Sequence, residues 1–317
     1  MQEARTERLC AAWLLALACA GCSGEGPTKS AQPERTSCAR LSHDACQGES
    51  CCKSLAIPAQ SFTLGGAVES PTADASVSAF SLDKYEVTVG RFQAFIASYD
   101  AWRSQGNPAA GAGAHPLIAG SGWSVDFDLS ETAAQLESKT GVQCSSLTQT
   151  FTVGRAELPI NCVSWLEAFA FCIWDGGRLP TEAEWEVAAT GGDEGWPFPW
   201  GTDEPDSSRA AYDCTGDGSA SQDCAITDIL DVGSKPAGAG RWGHQDLAGN
   251  VWEWVLDAYQ AYPPIARDYA NVTDAAYRTI RGSGWASEAA DLRSPIRYNS
   301  APTARRSEFG FRCAGAR

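Results

Sequence analysis

The chain has 317 residues, of which 44% are apolar and 20% charged. That balance excludes a wholly disordered chain, which would carry less apolar material and more net charge per residue. Its 39 acidic against 24 basic residues leave a net charge of −15; such a surface repels nucleic-acid phosphates, so no nucleic-acid partner is expected.

The first 21 residues carry Arg5 and Arg8, then an apolar run from Leu9 to Ala20. The run is too short to span a bilayer and reads as the core of a signal peptide over residues 1–21. Ala20-Gly21-Cys22 resembles the cleavage site of bacterial lipoproteins, in which the Cys22 thiol is acylated. Export to the cell envelope, with a lipid on Cys22 holding the chain to a membrane, is the expectation. Residues 22–37, rich in Ser, Pro, Glu, Thr and Gly, read as a flexible linker. A cysteine-rich segment follows over 38–55, and a folded domain over 56–317.

Setting aside Cys10, Cys19 and Cys22, ten of the 13 cysteines remain. An even count in an exported chain predicts disulfides. Spacing proposes Cys38, Cys46, Cys51 and Cys52 as a small knot of open pairing, Cys144 with Cys162, and Cys214 with Cys224, which leaves Cys172 and Cys313 for each other. Paired CxxC spacings for zinc do not occur.

Within the domain, Ser61 to Gly66 and Val77 to Leu82 alternate and end in turn residues, and both read as strands. Thr88 has the character of a helix N-cap, with Phe92, Phe95, Ile96 and Tyr99 following on one face. Residues 100–157, rich in Gly, Ala, Ser and Thr, read as long loops. Ser164-Trp165-Leu166-Glu167 and Thr181-Glu182-Ala183-Glu184 are capping boxes that start two more helices, stopped at Asp175-Gly176-Gly177 and at Gly191-Gly192. Short β-like pieces follow at Tyr277–Arg281 and Phe309–Ala314. No 20–50-residue repeat and no regular alternation of strands and helices is present, so pattern predicts an irregular, disulfide-tied α+β domain. Only His43, His115 and His244 occur, and neither a GxSxG elbow nor a phosphate-binding GxxxxGK[ST] loop is present. Asn271-Val272-Thr273 is a glycosylation sequon by pattern alone.

Several segments together resemble the formylglycine-generating enzyme (sulfatase-modifying factor) family. They are Phe80 to Thr88, Leu158 to Trp165, Gly177 to Glu186, Phe198-Pro199-Trp200-Gly201, Asp246 to Trp254, Arg281-Gly282 and Gly310-Phe311-Arg312. The resemblance covers about residues 56 to 315 and implies a single C-type-lectin-like domain with little regular secondary structure. The family's enzymes oxidise a substrate cysteine with copper and oxygen, using two cysteines five residues apart after an Arg-Gly-Gly-Ser segment. Here that region reads Arg281-Gly282-Ser283-Gly284-Trp285-Ala286-Ser287, with no cysteine between Cys224 and Cys313. Soft Cu(I) needs thiolates, and Ser287 offers a hard hydroxyl, so copper and the parent activity are not expected. Ala189 stands where a further family disulfide would have a cysteine, whereas Cys172 and Cys313 match a family pair.

The resemblance also implies a structural calcium ion at Gly249, Asn250, Val251 and Glu253, through the Asn250 and Glu253 side chains and neighbouring carbonyls. A second family calcium site needs an Ala-Asn pair where Tyr212-Asp213 stands. Trp252 and Trp254 are expected in the core. Trp285 is expected at the surface with Ser287, Glu288, Asp291, Arg293, Tyr298 and Asn299 near the lost catalytic segment, forming a surface for a protein or glycan ligand. The favoured function is a calcium-stabilised binding module. The alternatives are a metal-dependent oxidase of the same family and a purely structural envelope protein.

Overall fold

A computed structural model describes residues 35–39, 41–66, 72–141, 143–144, 147–219 and 224–315. The leader, Cys22 and nearly all of the linker lie outside the described residues. Among the described residues no helix is long and apolar enough to cross a membrane.

In chain order the elements are β1 (Ser54–Ile57), β2 (Gln60–Leu64), β3 (Ala73–Val77), β4 (Phe80–Asp83), α1 (Val89–Ser104), α2 (Ala133–Thr140), α3 (Trp165–Trp174), α4 (Glu182–Thr190), β5 (Trp252–Ala258), β6 (Ile265–Arg267), β7 (Arg278–Arg281), β8 (Arg297–Ser300), β9 (Phe309–Gly310) and β10 (Ala314–Gly315). They form three small sheets ordered β1-β4-β10, β2-β3-β6 and β8-β7-β5-β9. Among the described residues only the β3–β6 and β5–β9 pairs are parallel. This is the mixed, irregular α+β architecture that the pattern predicts.

Local chemistry places the helices. Thr88 caps α1 by accepting the Arg91 amide, and Ser164 and Thr181 close full capping boxes with Glu167 and Glu184. Gly191, at φ 68°, ends α4 in the left-handed conformation that glycine adopts without strain. Two expectations need correction. The stretch from Val77 to Leu82 is two strands, β3 and β4, broken at Ser78-Ala79. Residues 100–157 are not all loop, since α1 runs to Ser104 and α2 starts from a Thr132–Gln135 capping box.

The main core is aromatic. Phe92 and Phe95 of α1 pack on Phe171 of α3 with ring centroids 5.8 and 5.6 Å apart, and Phe171 meets Phe311 at 5.3 Å. Buried indole N–H groups find backbone acceptors: Trp165 donates to the Val255 carbonyl at 2.8 Å and Trp254 to that of Val163 at 2.9 Å. The disulfides are Cys38–Cys52, Cys46–Cys51, Cys144–Cys162, Cys172–Cys313 and Cys214–Cys224, which settles the pairing of the N-terminal knot. That knot is docked by buried charge: Arg91 pairs with Asp83 at 2.9 Å and Asp175 at 2.7 Å, and Asp175 accepts the Ser37 amide at 2.7 Å.

Candidate functional site: a braced groove beside a buried acidic turn

The segment from Asp246 to Val251 turns sharply, with positive φ at Asp246, Gly249 and Asn250. Gly249 is required: a Cβ there would lie 2.3 Å from the Ala211 carbonyl oxygen. The turn is pinned by Asn250 N donating to Ala211 O at 2.9 Å, Gly249 N to Gly282 O at 2.8 Å, and Trp285 N to Asn250 O at 2.8 Å.

The expected metal residues Gly249, Asn250, Val251 and Glu253 are therefore brought together at one turn, but their side chains already have partners. Asn250 Oδ1 accepts the Leu230 amide at 3.1 Å, and its Nδ2 donates to Glu86 at 2.7 Å. Glu86 also accepts the Val251 amide at 3.1 Å. Glu253, in β5, accepts two bonds from Arg312 at 2.7 Å each and one from the Trp185 indole at 3.0 Å.

Glu86 and Asp246 complete this cluster and escaped the sequence reading. Their signal was present in the Tyr85-Glu86-Val87-Thr88 and Asp246-Leu247-Ala248-Gly249-Asn250 segments. Burial, then the charges of Asp246 and Glu253, push the Glu86 carboxyl well above the ordinary glutamate value. Burial likewise pushes Asp246 up to about 6. Three buried carboxyls thus crowd one guanidinium, and the raised values of Glu86 and Asp246 reflect the cost of ionising all three together. Among the described residues no three His, Cys, Asp or Glu side chains converge on one metal position; a cation here would need backbone carbonyls as well, and every donor would be a hard oxygen.

Across β5 from this turn opens a groove of about 320 Å³. Ser287, Asp291, Tyr298 and Asn299 line it as expected, joined by Trp252, Arg306, Glu308 and Phe309. Trp252 and Tyr298 meet edge to face at 5.2 Å, forming an aromatic corner. Burial raises the Glu308 carboxyl above its ordinary value, with Arg306 opposing. Trp285, expected at the surface, is instead 4% exposed, and its indole donates to Ser307 O at 3.3 Å. Glu288 and Arg293 are exposed outside the groove lining, with Arg293 set over the Phe198 ring at 5.5 Å.

Two disulfides hold the groove's borders. Beside Cys214–Cys224, Cys214 N donates to Trp285 O and Asp213 N to Ser287 O, both at 2.9 Å. Beside Cys144–Cys162, Cys162 N donates to Arg306 O at 3.0 Å.

The sulfatase-modifying factor enzyme 1-like domain model matches residues 39–317. The chain belongs to this family. It is 30% identical over 268 residues to the inactive C-alpha-formylglycine-generating enzyme 2 of Bos taurus, covering 78% of this chain and 80% of that protein. It is 29% identical over 286 residues to the formylglycine-generating enzyme of Streptomyces coelicolor, covering 81% and 87%. Among solved structures, PvdO from Pseudomonas aeruginosa shares the fold with a TM-score of 0.58 at 24% identity, over 83% of this chain and 94% of that one.

Ser287, expected from the resemblance at the place of the first catalytic cysteine, accepts the Gly284 amide on its Oγ at 2.9 Å. Five residues on stands Leu292, buried against Phe198, Ala210 and Ala248. Every cysteine among the described residues is in a disulfide, so none of them offers a thiolate.

Proposed function

We propose that this sulfatase-modifying factor domain is an exported, lipid-anchored binding module, stabilised by calcium, that takes a protein or glycan ligand in the groove beside Ser287. One observation carries the reading: an open groove with an aromatic corner and polar side chains stays shaped and braced where the parent chemistry has lost both thiols. The relative named as inactive, similar along most of its length, supports a non-catalytic role. Glu86, Asp246 and Glu253 crowd one guanidinium, and a divalent cation held with the Gly249 and Val251 carbonyls would let those carboxyls ionise. Copper is not expected at Ser287, a hard hydroxyl already engaged with the backbone. Disulfides and the leader support export, with Cys22 as the lipid acceptor.

The test uses the full chain. Wild type and the Tyr298→Ala/Asp291→Asn variant are presented to glycan and protein arrays, and both are desalted after exposure to calcium or copper(I) without oxygen for elemental analysis. Array ligands that the wild type retains and the variant loses, with calcium alone bound, support the reading. Stoichiometric copper with oxygen consumption would overturn it in favour of an oxidase; array signals equal in both proteins would remove the groove from binding.

A further inference from the structure

Six arginines are buried among the described residues: Arg91, Arg178, Arg278, Arg281, Arg297 and Arg312. Five are paired with carboxylates, at 2.7 Å for Arg91–Asp175, 2.5 Å for Arg178–Glu184 and Arg281–Glu186, and 2.7 Å for Arg297–Glu182 and Arg312–Glu253. Arg278, at the start of β7, forms no such ion pair, although it is only 4% exposed. Its guanidinium lies 4.1 Å from the centroid of the Trp165 ring, Nη1 donates to Leu256 O at 3.3 Å, and Nε has no partner. Stacking and one carbonyl offset part of the cost of burying a charge, but a buried cation without a counter-ion remains expensive.

The acids whose charge reaches it, Asp257 and Asp274, form no ion pair with it. Asp257 accepts the amides of Glu182 at 2.7 Å and Asn271 at 2.8 Å. Burial and the Glu182 charge push its carboxyl up to about 7, which weakens it as a counter-ion at neutral pH. Burial holds the Arg278 guanidinium below the ordinary arginine value, with Asp257 and Asp274 only partly opposing.

Arg278 faces a cleft walled by Trp165, Phe169, Leu256 and Val272 and bordered by the Gly120-Ser121-Gly122 turn. The free space is about 20 Å³, room for one water-sized occupant. Gly120 is left-handed at φ 74°, and no N–H of this turn donates to a backbone carbonyl among the described residues. Backbone N–H groups in such a turn and a guanidinium are the two donor types that collect anions.

We infer that the Arg278 cleft is a binding site for a small monovalent anion, held between the guanidinium and the Gly120–Gly122 backbone. Apolar walls and small volume favour a weakly hydrated, singly charged ion over sulfate or phosphate. Two sources share that chemistry: a free halide, and the carboxylate of a ligand whose remainder leaves through the cleft mouth. The site is separate from the groove beside Ser287, and Arg278 shares β7 with Ile280, which lines that groove.

The experiment is thermal unfolding of the full chain at constant ionic strength, exchanging sodium sulfate for sodium chloride or bromide. It is joined by anomalous diffraction from crystals grown in bromide. The expected result is a saturable rise in Tm of about 2–4 °C in halide, absent in Arg278→Met, and a bromide peak against the Arg278 guanidinium. Formate and benzoate then separate the sources: formate alone replacing halide marks a closed ion site, and benzoate replacing it as well marks a ligand carboxylate. Should Arg278→Met fail to fold, the bromide map of the wild type decides. A map without bromide at Arg278, with equal Tm in sulfate and halide, would overturn the inference.

Discussion

Arg312 grips Glu253 with two nitrogens, Nε on one carboxylate oxygen and Nη2 on the other, each at 2.7 Å, with both side chains shut off from solvent. The same guanidinium donates to the carbonyls of Asp83, Lys84 and Gln245, so one side chain ties the C-terminal segment to β4 and to the acidic turn. Removing one partner leaves the other charge buried and uncompensated. Glu253→Gln or Arg312→Met is expected to lose about 3–5 kcal/mol of unfolding free energy, measured by guanidinium titration.

The acidic turn depends on glycine as much as on charge. Gly249→Ala sets a methyl group against the Ala211 carbonyl, 2.3 Å away, at a φ of 84°. Left-handed strain alone costs about 1–2 kcal/mol, and the clash adds to it. The expected outcome is a loss above about 2 kcal/mol in urea unfolding, together with loss of any calcium-dependent rise in Tm.

Two buried carboxyls give stability opposite pH slopes. Burial and Glu182 raise Asp257 from 3.8 to about 7. Its unfolded form ionises first, so its contribution is full below about pH 4 and is lost as pH rises towards 7. For Glu184, Arg178 and His115 outweigh burial and lower the carboxyl from 4.5 to about 2; its contribution is present above about pH 4.5 and is lost as pH falls towards 2. Denaturant titrations from pH 3 to 8 are expected to flatten above pH 4 in Asp257→Asn and below pH 4.5 in Glu184→Gln.

The disulfides differ in the chain they close. Cys172–Cys313 spans 141 residues and Cys46–Cys51 spans 5. Loop-closure entropy assigns them about 5 and about 2 kcal/mol. Replacing each pair by alanine and comparing denaturant midpoints is expected to rank them in that order, with Cys172→Ala/Cys313→Ala the more damaging.

What could be read in the sequence was local. The caps of α1, α3 and α4 are hydrogen bonds within four residues, and the side chains that make them announce themselves. The helix α2 uses the same device at Thr132 and Gln135 but offers only Leu136 and Thr140 to the interior, too few for a periodic signal. Strands β9 and β10, of two residues each, exist only through their partners β5 and β4. Trp285 misled for a related reason. It follows Gly282-Ser283-Gly284, and the partners that hold it inside, the Ser307 and Asn250 carbonyls and the Cys214 amide, lie far away in sequence. Glu86 and Asp246 lie 160 residues apart in sequence and meet only in the fold, so spacing cannot pair them.

The cross-links on either side of the groove have a thermodynamic consequence. With Trp285 and Ser287 hydrogen-bonded to the Cys214 loop, and Arg306 to Cys162, the backbone borders are fixed before any ligand arrives. Association of the proposed ligand would then spend little entropy on ordering loops, and more of the contact energy would appear as affinity. The borders are held by backbone hydrogen bonds rather than by the Asp291 and Asn299 side chains, so those two positions can change identity at small cost to the fold, and the proposed ligand site can be retuned on a rigid frame.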